Sequence, residues 1–142
     1  MAPTRSAPEA LAALVVYDPD ADADANVAAM SAAAAGVATG EITQAVRDAP
    51  SPAGPVRAGD WIGLADGQGI VSVSAAVLDA VEGLLARLVP DDAELVTAIE
   101  GDGATPTVTE GVRAWLGHHR PGIELETHRG GQPLYPYLFG VE

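Results

Sequence analysis

Along the chain, helical and alternating hydrophobic spacings take turns, and the switches between them mark the elements. From Pro8 to Val16 the run EALAALVV sets Leu11, Leu14 and Val15 on one helical face, with Pro8 at its start. DPDADADAN then interrupts. Residues 26–37 follow as a second, alanine-rich helix, amphipathic through Val27, Met30 and Ala34 and stopped by Gly36 and Gly40. GEITQAVRD alternates Ile42, Gln44 and Val46 against Glu41, Thr43 and Ala45, the pattern of a half-buried strand. APSPAGPVRAG, with its three prolines, reads as a loop. DWIGLADGQGIVSVS reads as a hairpin: a strand over 61–65, a turn at Asp66-Gly67 and a strand over 70–73.

Beyond the hairpin the period lengthens again. Ser74 is placed to cap a helix running to about residue 88, whose buried stripe is Val77, Val81, Leu84, Leu85 and Leu88. ELVTAIEG has the look of a strand. Thr107 and Glu110 stand at capping-box spacing at the head of a helix that reaches His119, where Pro121-Gly122 ends it. IELETHRG is a further strand and YPYLFGVE the last. From residue 74 the order is α-β-α-β-β, which calls for a partly parallel sheet with crossover helices. The expectation is an α/β fold, a mixed sheet with helices packed on it in two or three layers. Residues 1–142 read as one domain, with a hairpin-containing strand region over 37–73 and the α-β-α-β-β region over 74–142.

Composition narrows the functional classes. Nearly half of the 142 residues are apolar, enough for a folded core, and no apolar run approaches the ~20 residues of a membrane span. Met1-Ala2-Pro3 opens no signal peptide, so a cytoplasmic protein without membrane insertion is expected. The absence of cysteine excludes disulfides, thiolate zinc sites and a Cys nucleophile. Seven basic residues, all Arg and scattered singly, stand against 20 acidic ones, a net charge of −13. Nucleic-acid binding needs a cationic face, so no nucleic-acid partner is expected.

That charge also decides the reading of Gly130-Gly131-Gln132, the tripeptide with which peptide-release factors hydrolyse peptidyl-tRNA. Here GGQP is better read as a turn: two permissive glycines, then a proline that fixes φ. Asp18, Asp20, Asp22 and Asp24 alternate as in a calcium loop. The sixth and twelfth places hold Ala23 and Ala29 rather than Gly and Glu, so the run reads instead as an acidic helix cap. His118 and His119 are adjacent, their rings about 100° apart on a helix, which suits a dipole-facing pair better than a shared metal. EGDGATPT lies between a strand and a helix, where backbone amides can face an anion. It lacks the Lys of a phosphate loop, and Glu100 and Asp102 oppose a phosphate. No GxSxG elbow accompanies Ser72 or Ser74. No catalytic, cofactor-binding or metal-binding residue is singled out.

The ordered segments APTRSAPEALAAL, YDPDADADANVAAM, TGEITQAVRD, GDWIGLADG, ELVTAIEG and GGQPLYPYLFGVE resemble the C-terminal part of the A subunit of bacterial fatty-acid kinase. These proteins are dihydroxyacetone-kinase-like and contain a DhaL-type domain. The resemblance runs from about Pro3 to Glu142, and TGEITQAVRD, GDWIG and GGQPLYPY are its most specific pieces. Glu9-Ala10 stands where Gln-Gly is the family pattern, and GDGATP replaces a plainer acidic turn.

The resemblance implies a division of labour. An N-terminal kinase domain would hold ATP and magnesium, and a middle domain with Cys and His would bind a metal and dimerise. The C-terminal region would engage a fatty-acid-binding protein that presents the acyl carboxylate for phosphorylation, feeding phospholipid synthesis. This chain matches neither upstream domain, so no cofactor is expected in it, and it reads as an expressed fragment or a stand-alone remnant. The leading expectation is a non-catalytic docking domain. Trp61, Gly130, Gly131, Gln132, Tyr135 and Tyr137 are the partner-contact candidates, because Tyr and Trp are frequent binding anchors. Tyr135, Tyr137 and Phe139 alternate on one strand face and equally suit the core. Two alternatives stand beside this: a small-molecule or lipid-binding domain with an apolar cavity of several hundred Å3, and an independent kinase or hydrolase.

Overall fold

A computed structural model describes residues 4–142; Met1-Ala2-Pro3, read above as opening no signal peptide, lie outside the described residues. Four helices and six strands follow in the order α1 (Ala7–Val15), α2 (Ala23–Ala35), β1 (Ala38–Gln44), β2 (Trp61–Ala65), β3 (Gly69–Ser74), α3 (Val77–Leu88), β4 (Leu95–Glu100), α4 (Pro106–His119), β5 (Glu124–Arg129) and β6 (Tyr137–Val141). The strands form one sheet, ordered β3-β2-β1-β6-β4-β5, so both halves of the chain contribute to it. β4 and β5 run parallel through the α4 crossover, and every other pairing is antiparallel. The α/β expectation of a mixed sheet holds.

One face of the sheet carries the core. Ile42, Ala65, Val96, Ala98, Tyr137, Phe139 and Val141 point into it and meet Val81, Leu84, Leu85 and Leu88 of α3 and Val112 and Leu116 of α4. Glycine lets α3 come close: a Cβ on Gly40 would lie 2.9 Å from a Leu88 methyl, and one on Gly63 2.9 Å from Leu84 Cβ. The opposite face is covered more sparsely. There α1 crosses β6, with Pro8 in the space a Cβ on Gly140 would need.

The α3 stripe is buried as its spacing predicts, whereas the α1 stripe is not. Leu11, Leu14 and Val15 are 37%, 63% and 84% exposed, and α1 buries Pro8, Glu9 and Ala13 instead. Only small residues fit where the helix meets Gly140, so the leucine side turns outward. In α2, Asp22 caps the helix by accepting from Ala25 N at 2.7 Å, and the aspartate run is a helix cap as expected. Asn26 is not the helix start. It is buried one turn in, accepting from Asp18 N and donating to Asp18 O, which fastens the α1–α2 loop.

Other boundaries shift for local reasons. β1 ends at Gln44, because the amide of Ala45 bonds Asp60 O and its carbonyl accepts from Gly59, leaving Val46 92% exposed. The proline-rich loop holds a small bridge between Ala49 and Val56. Helix α3 starts after Ala76, and Ser74 Oγ accepts from Ala76 N instead of capping it. The cap of α4 is Thr105, two residues before the expected Thr107: its Oγ1 accepts from Val108 N, and Pro106 takes the first turn. Glu110 consequently faces Arg113 rather than closing a capping box.

Candidate docking site

β1, β4 and β5 end, and β2 and β6 begin, at the same edge of the sheet. That edge therefore collects the ends of Gln44, Glu100 and Arg129 with the starts Trp61 and Tyr137. Two loops cross it, residues 101–105 and residues 130–136, and they are tied together. Gly130 N and Gly131 N both donate to Glu100 O, at 2.8 and 3.0 Å, Gly101 N to Pro136 O at 2.8 Å and Asp102 N to Gln132 O at 2.8 Å. Gln132 completes the clasp, its Nε2 donating to Ile99 O at 3.1 Å and to Tyr135 O at 3.0 Å.

These bonds decide two sequence readings. GGQ is a turn, and its glutamine is a structural clip between β4 and the loop before β6. A Cβ on Gly101 would sit 2.6 Å from Gln132 O, so this junction admits only glycine. The EGDGATPT turn has no free amide cradle at these positions, because Gly101, Asp102 and Ala104 all donate to backbone carbonyls and Thr105 caps α4. It is a strand-to-helix junction rather than an anion site.

The clasped loop presents one unusual residue. Leu134 is the non-glycine residue with positive φ, +69°, among those described, and it is 77% exposed. A leucine in the left-handed region costs about 1–2 kcal/mol, so its neighbours must hold it there. Thr43 Oγ1 donates to Leu134 O at 2.7 Å, and the Gln132 bonds fix the loop on either side. With Val46, Trp61 and Pro136, Leu134 borders an open recess of about 210 Å3.

Of the six contact candidates, Trp61, Gly130, Gly131, Gln132 and Tyr135 gather at this edge; Trp61 and Tyr135 are half-buried. Tyr137 does not reach the surface. It is 1% exposed, stacks on Phe139 with ring centroids 5.7 Å apart, and shares a 2.7 Å bond with Thr109 Oγ1 and another with Thr105 O. Its core role follows from the strand beginning at Tyr137, which leaves Tyr135 in the loop. Burial raises the Tyr137 hydroxyl above the ordinary tyrosine pKa. Leu134, Val46 and Thr43 were not singled out from sequence. No residue type announces a left-handed leucine, and only the Gly-Gly-Gln-Pro turn beside it was a signal.

The three histidines do not converge. His119 stacks on Trp115 at 4.3 Å and bonds its carbonyl, while His128 lies on β5 beside Glu126. Among the described residues no three His, Asp or Glu side chains are placed to share a metal ion. A second cleft, of about 400 Å3, lies between α1 and the far face of the sheet. It is open, and Arg5, Glu41 and Asp66 line it alongside Leu64 and Leu138, so it is not the dry apolar cavity a lipid would need. No described helix is long and apolar enough to cross a membrane.

The family described as fatty acid kinase A-subunit-like, C-terminal, matches residues 1–142. The chain belongs to that family. It is 37% identical over 140 residues to an uncharacterized protein of Staphylococcus epidermidis and equally so to one of Staphylococcus aureus; one of Staphylococcus haemolyticus is 36% identical. Each alignment covers 99% of this chain and 25% of the relative, so the chain spans about a quarter of the length of the curated relatives it matches. The family thus makes the chain a fatty-acid kinase C-terminal domain, a component of a larger kinase subunit.

Proposed function

We propose that the chain is a non-catalytic docking domain that engages a fatty-acid-binding protein and holds it for acyl phosphate formation by the rest of the kinase. Family membership carries this reading. In support, the clasped edge spends its polar groups on its own fold and offers apolar side chains: Leu134, Val46 and half-buried Trp61. A loop locked before binding loses little entropy on docking, which is how a strained, exposed anchor contributes affinity. ATP and Mg2+ would be held by the other kinase domains, in the cytoplasm. Phosphoryl transfer depends on charge neutralisation around the phosphates, which a chain of net charge −13 supplies poorly.

A second surface suits the other regions of the kinase. Six of the eight exposed large apolar residues among those described lie on α1, α2 and their connection: Leu11, Leu14, Val15, Val16, Tyr17 and Val27. In a protein four times as long, this face is where upstream domains would rest.

Calorimetric titration of the chain with the cognate fatty-acid-binding protein tests the docking reading. Saturable binding that Leu134→Asp weakens at least ~10-fold is expected, the effect of an interface anchor. Binding unchanged by Leu134→Asp moves the contact away from this edge, and no binding at all overturns the docking role of the isolated domain.

A further inference from the structure

The open face of the sheet holds a carboxylate that the fold leaves unpaired. On β1, Gly40 and Ile42 point toward α3, so Glu41 points the other way. In register its neighbours are Leu64 on β2 and Leu138 on β6. Glu41 is thus half-buried between two leucines on the floor of the 400 Å3 cleft, and no described side chain bonds or pairs with it. Pro8 and Ser6 form the wall on the α1 side, and the β2–β3 turn brings Asp66 to the rim.

The groups facing Glu41 make this a negative site with an apolar floor. Asp66 adds a second carboxylate, and Glu9 of α1, which accepts from Arg5 N, lies in the adjoining recess. Arg5 stands at the mouth without a salt bridge to a described carboxylate. Burial and the charge of Asp66 together raise the Glu41 pKa above the ordinary carboxylate value, the sign of a carboxylate without a compensating cation.

We propose that this cleft takes a basic side chain, an arginine or lysine presented by a partner protein, with its alkyl stem along Leu64 and Leu138 and its charged head on Glu41 and Asp66. Long basic side chains bury their stems on apolar surface while the head seeks a carboxylate. A guanidinium on Glu41 would remove the cost of holding that charge between two leucines. The site is separate from the Leu134 edge, so its test needs no kinase partner.

The probe is Nα-acetyl-arginine amide, with Nα-acetyl-norleucine amide as the neutral counterpart of similar stem. Amide shifts of Thr39–Ile42 and Asp66–Gly69 in 15N-labelled protein give the readout. Saturable shifts are expected with the arginine amide in the millimolar range and not with norleucine. Glu41→Gln and Asp66→Asn should each weaken binding by about fivefold, the upper size of a partly exposed ion pair. Lowering the pH through the raised pKa of Glu41 should weaken it likewise, with Asp66, Glu9 and Arg5 the other charged groups at the cleft. Shifts that grow linearly without saturation, equal binding of norleucine amide, or arginine binding unchanged in Glu41→Gln would each overturn the proposal; the amide spectrum also reports whether each variant is folded.

Discussion

Helices α1 and α3 carry the same kind of apolar stripe and meet opposite fates. In α3, Val81, Leu84, Leu85 and Leu88 are at most 5% exposed; in α1, Leu11, Leu14 and Val15 run from 37% to 84%. The difference lies in what each helix rests on. α3 spans β1, β2 and β3, where Gly40 and Gly63 let its leucines sink into the sheet. α1 touches little of the sheet beyond β6, and there Pro8 occupies the hollow over Gly140. Periodicity reveals that a helix owns an apolar face. Whether another layer exists to cover that face is a property of the assembly.

The largest effect should come from the α3 side. Leu84→Ala removes a fully buried side chain and should cost about 3 kcal/mol in urea unfolding, as large-to-small core changes do. Leu14→Ala, the same chemistry on α1, should stay within about 0.5 kcal/mol. Equal costs would break the comparison and show the α1 stripe covered in solution. In the full-length kinase protein, Leu14→Ala should cost more than it does in this chain if upstream domains rest on α1.

Next in size is the clasp at the sheet edge. Gln132→Ala leaves the carbonyls of Ile99 and Tyr135 without their side-chain donor and should cost about 1–2 kcal/mol. Hydrogen exchange should show faster opening of residues 130–136 while α3 keeps its protection. An unchanged exchange pattern would mean that the glycine amides on Glu100 O hold the loop alone.

These regions were unequally legible in the sequence. The α3 stripe, the 61–65 strand and the α4–β5 crossover follow from spacing, because each is decided by local periodicity and a cap or turn. The clasp was legible only as a turn. Its bonds join Gln132 to Ile99, 33 positions away, and no local pattern encodes such a pairing. Tyr137 was left between contact and core, and what settles it is Thr109, 28 positions earlier. Glu41 read as the solvent half of an alternating strand, which it is, but its leucine neighbours come from two other strands. Leu134 carried no signal at all.

A smaller effect is expected at Leu134, and its sign separates strain from packing. Leu134→Gly relieves a left-handed leucine, so thermal stability should rise by up to about 1 kcal/mol, less what glycine's greater freedom in the unfolded chain costs. If the edge docks a partner, the same variant should bind it more weakly. Gain in stability with loss of binding is the signature of an anchor held in a strained pose. A loss of both would show the side chain to be structural.

Glu41 gives the smallest effect, readable through pH. Its pKa is raised in the folded protein, chiefly by burial and further by Asp66. The native state therefore binds the proton more tightly than the unfolded chain. As pH rises from the unfolded value of 4.5 through the higher folded value, stability falls, and the cost is fully present above it. Glu41→Gln removes that cost, so the variant should melt slightly higher than the parent at neutral pH, by a few tenths of a kcal/mol for a partly exposed group. The gain should shrink to nothing as pH approaches the unfolded carboxylate value, where both proteins carry a neutral group at position 41. A gain that persisted unchanged into acid would assign the effect to packing against Leu64 and Leu138. A loss at neutral pH would mean that the carboxylate already has a cation in solution, and Arg5 at the mouth of the same cleft is the group to replace next.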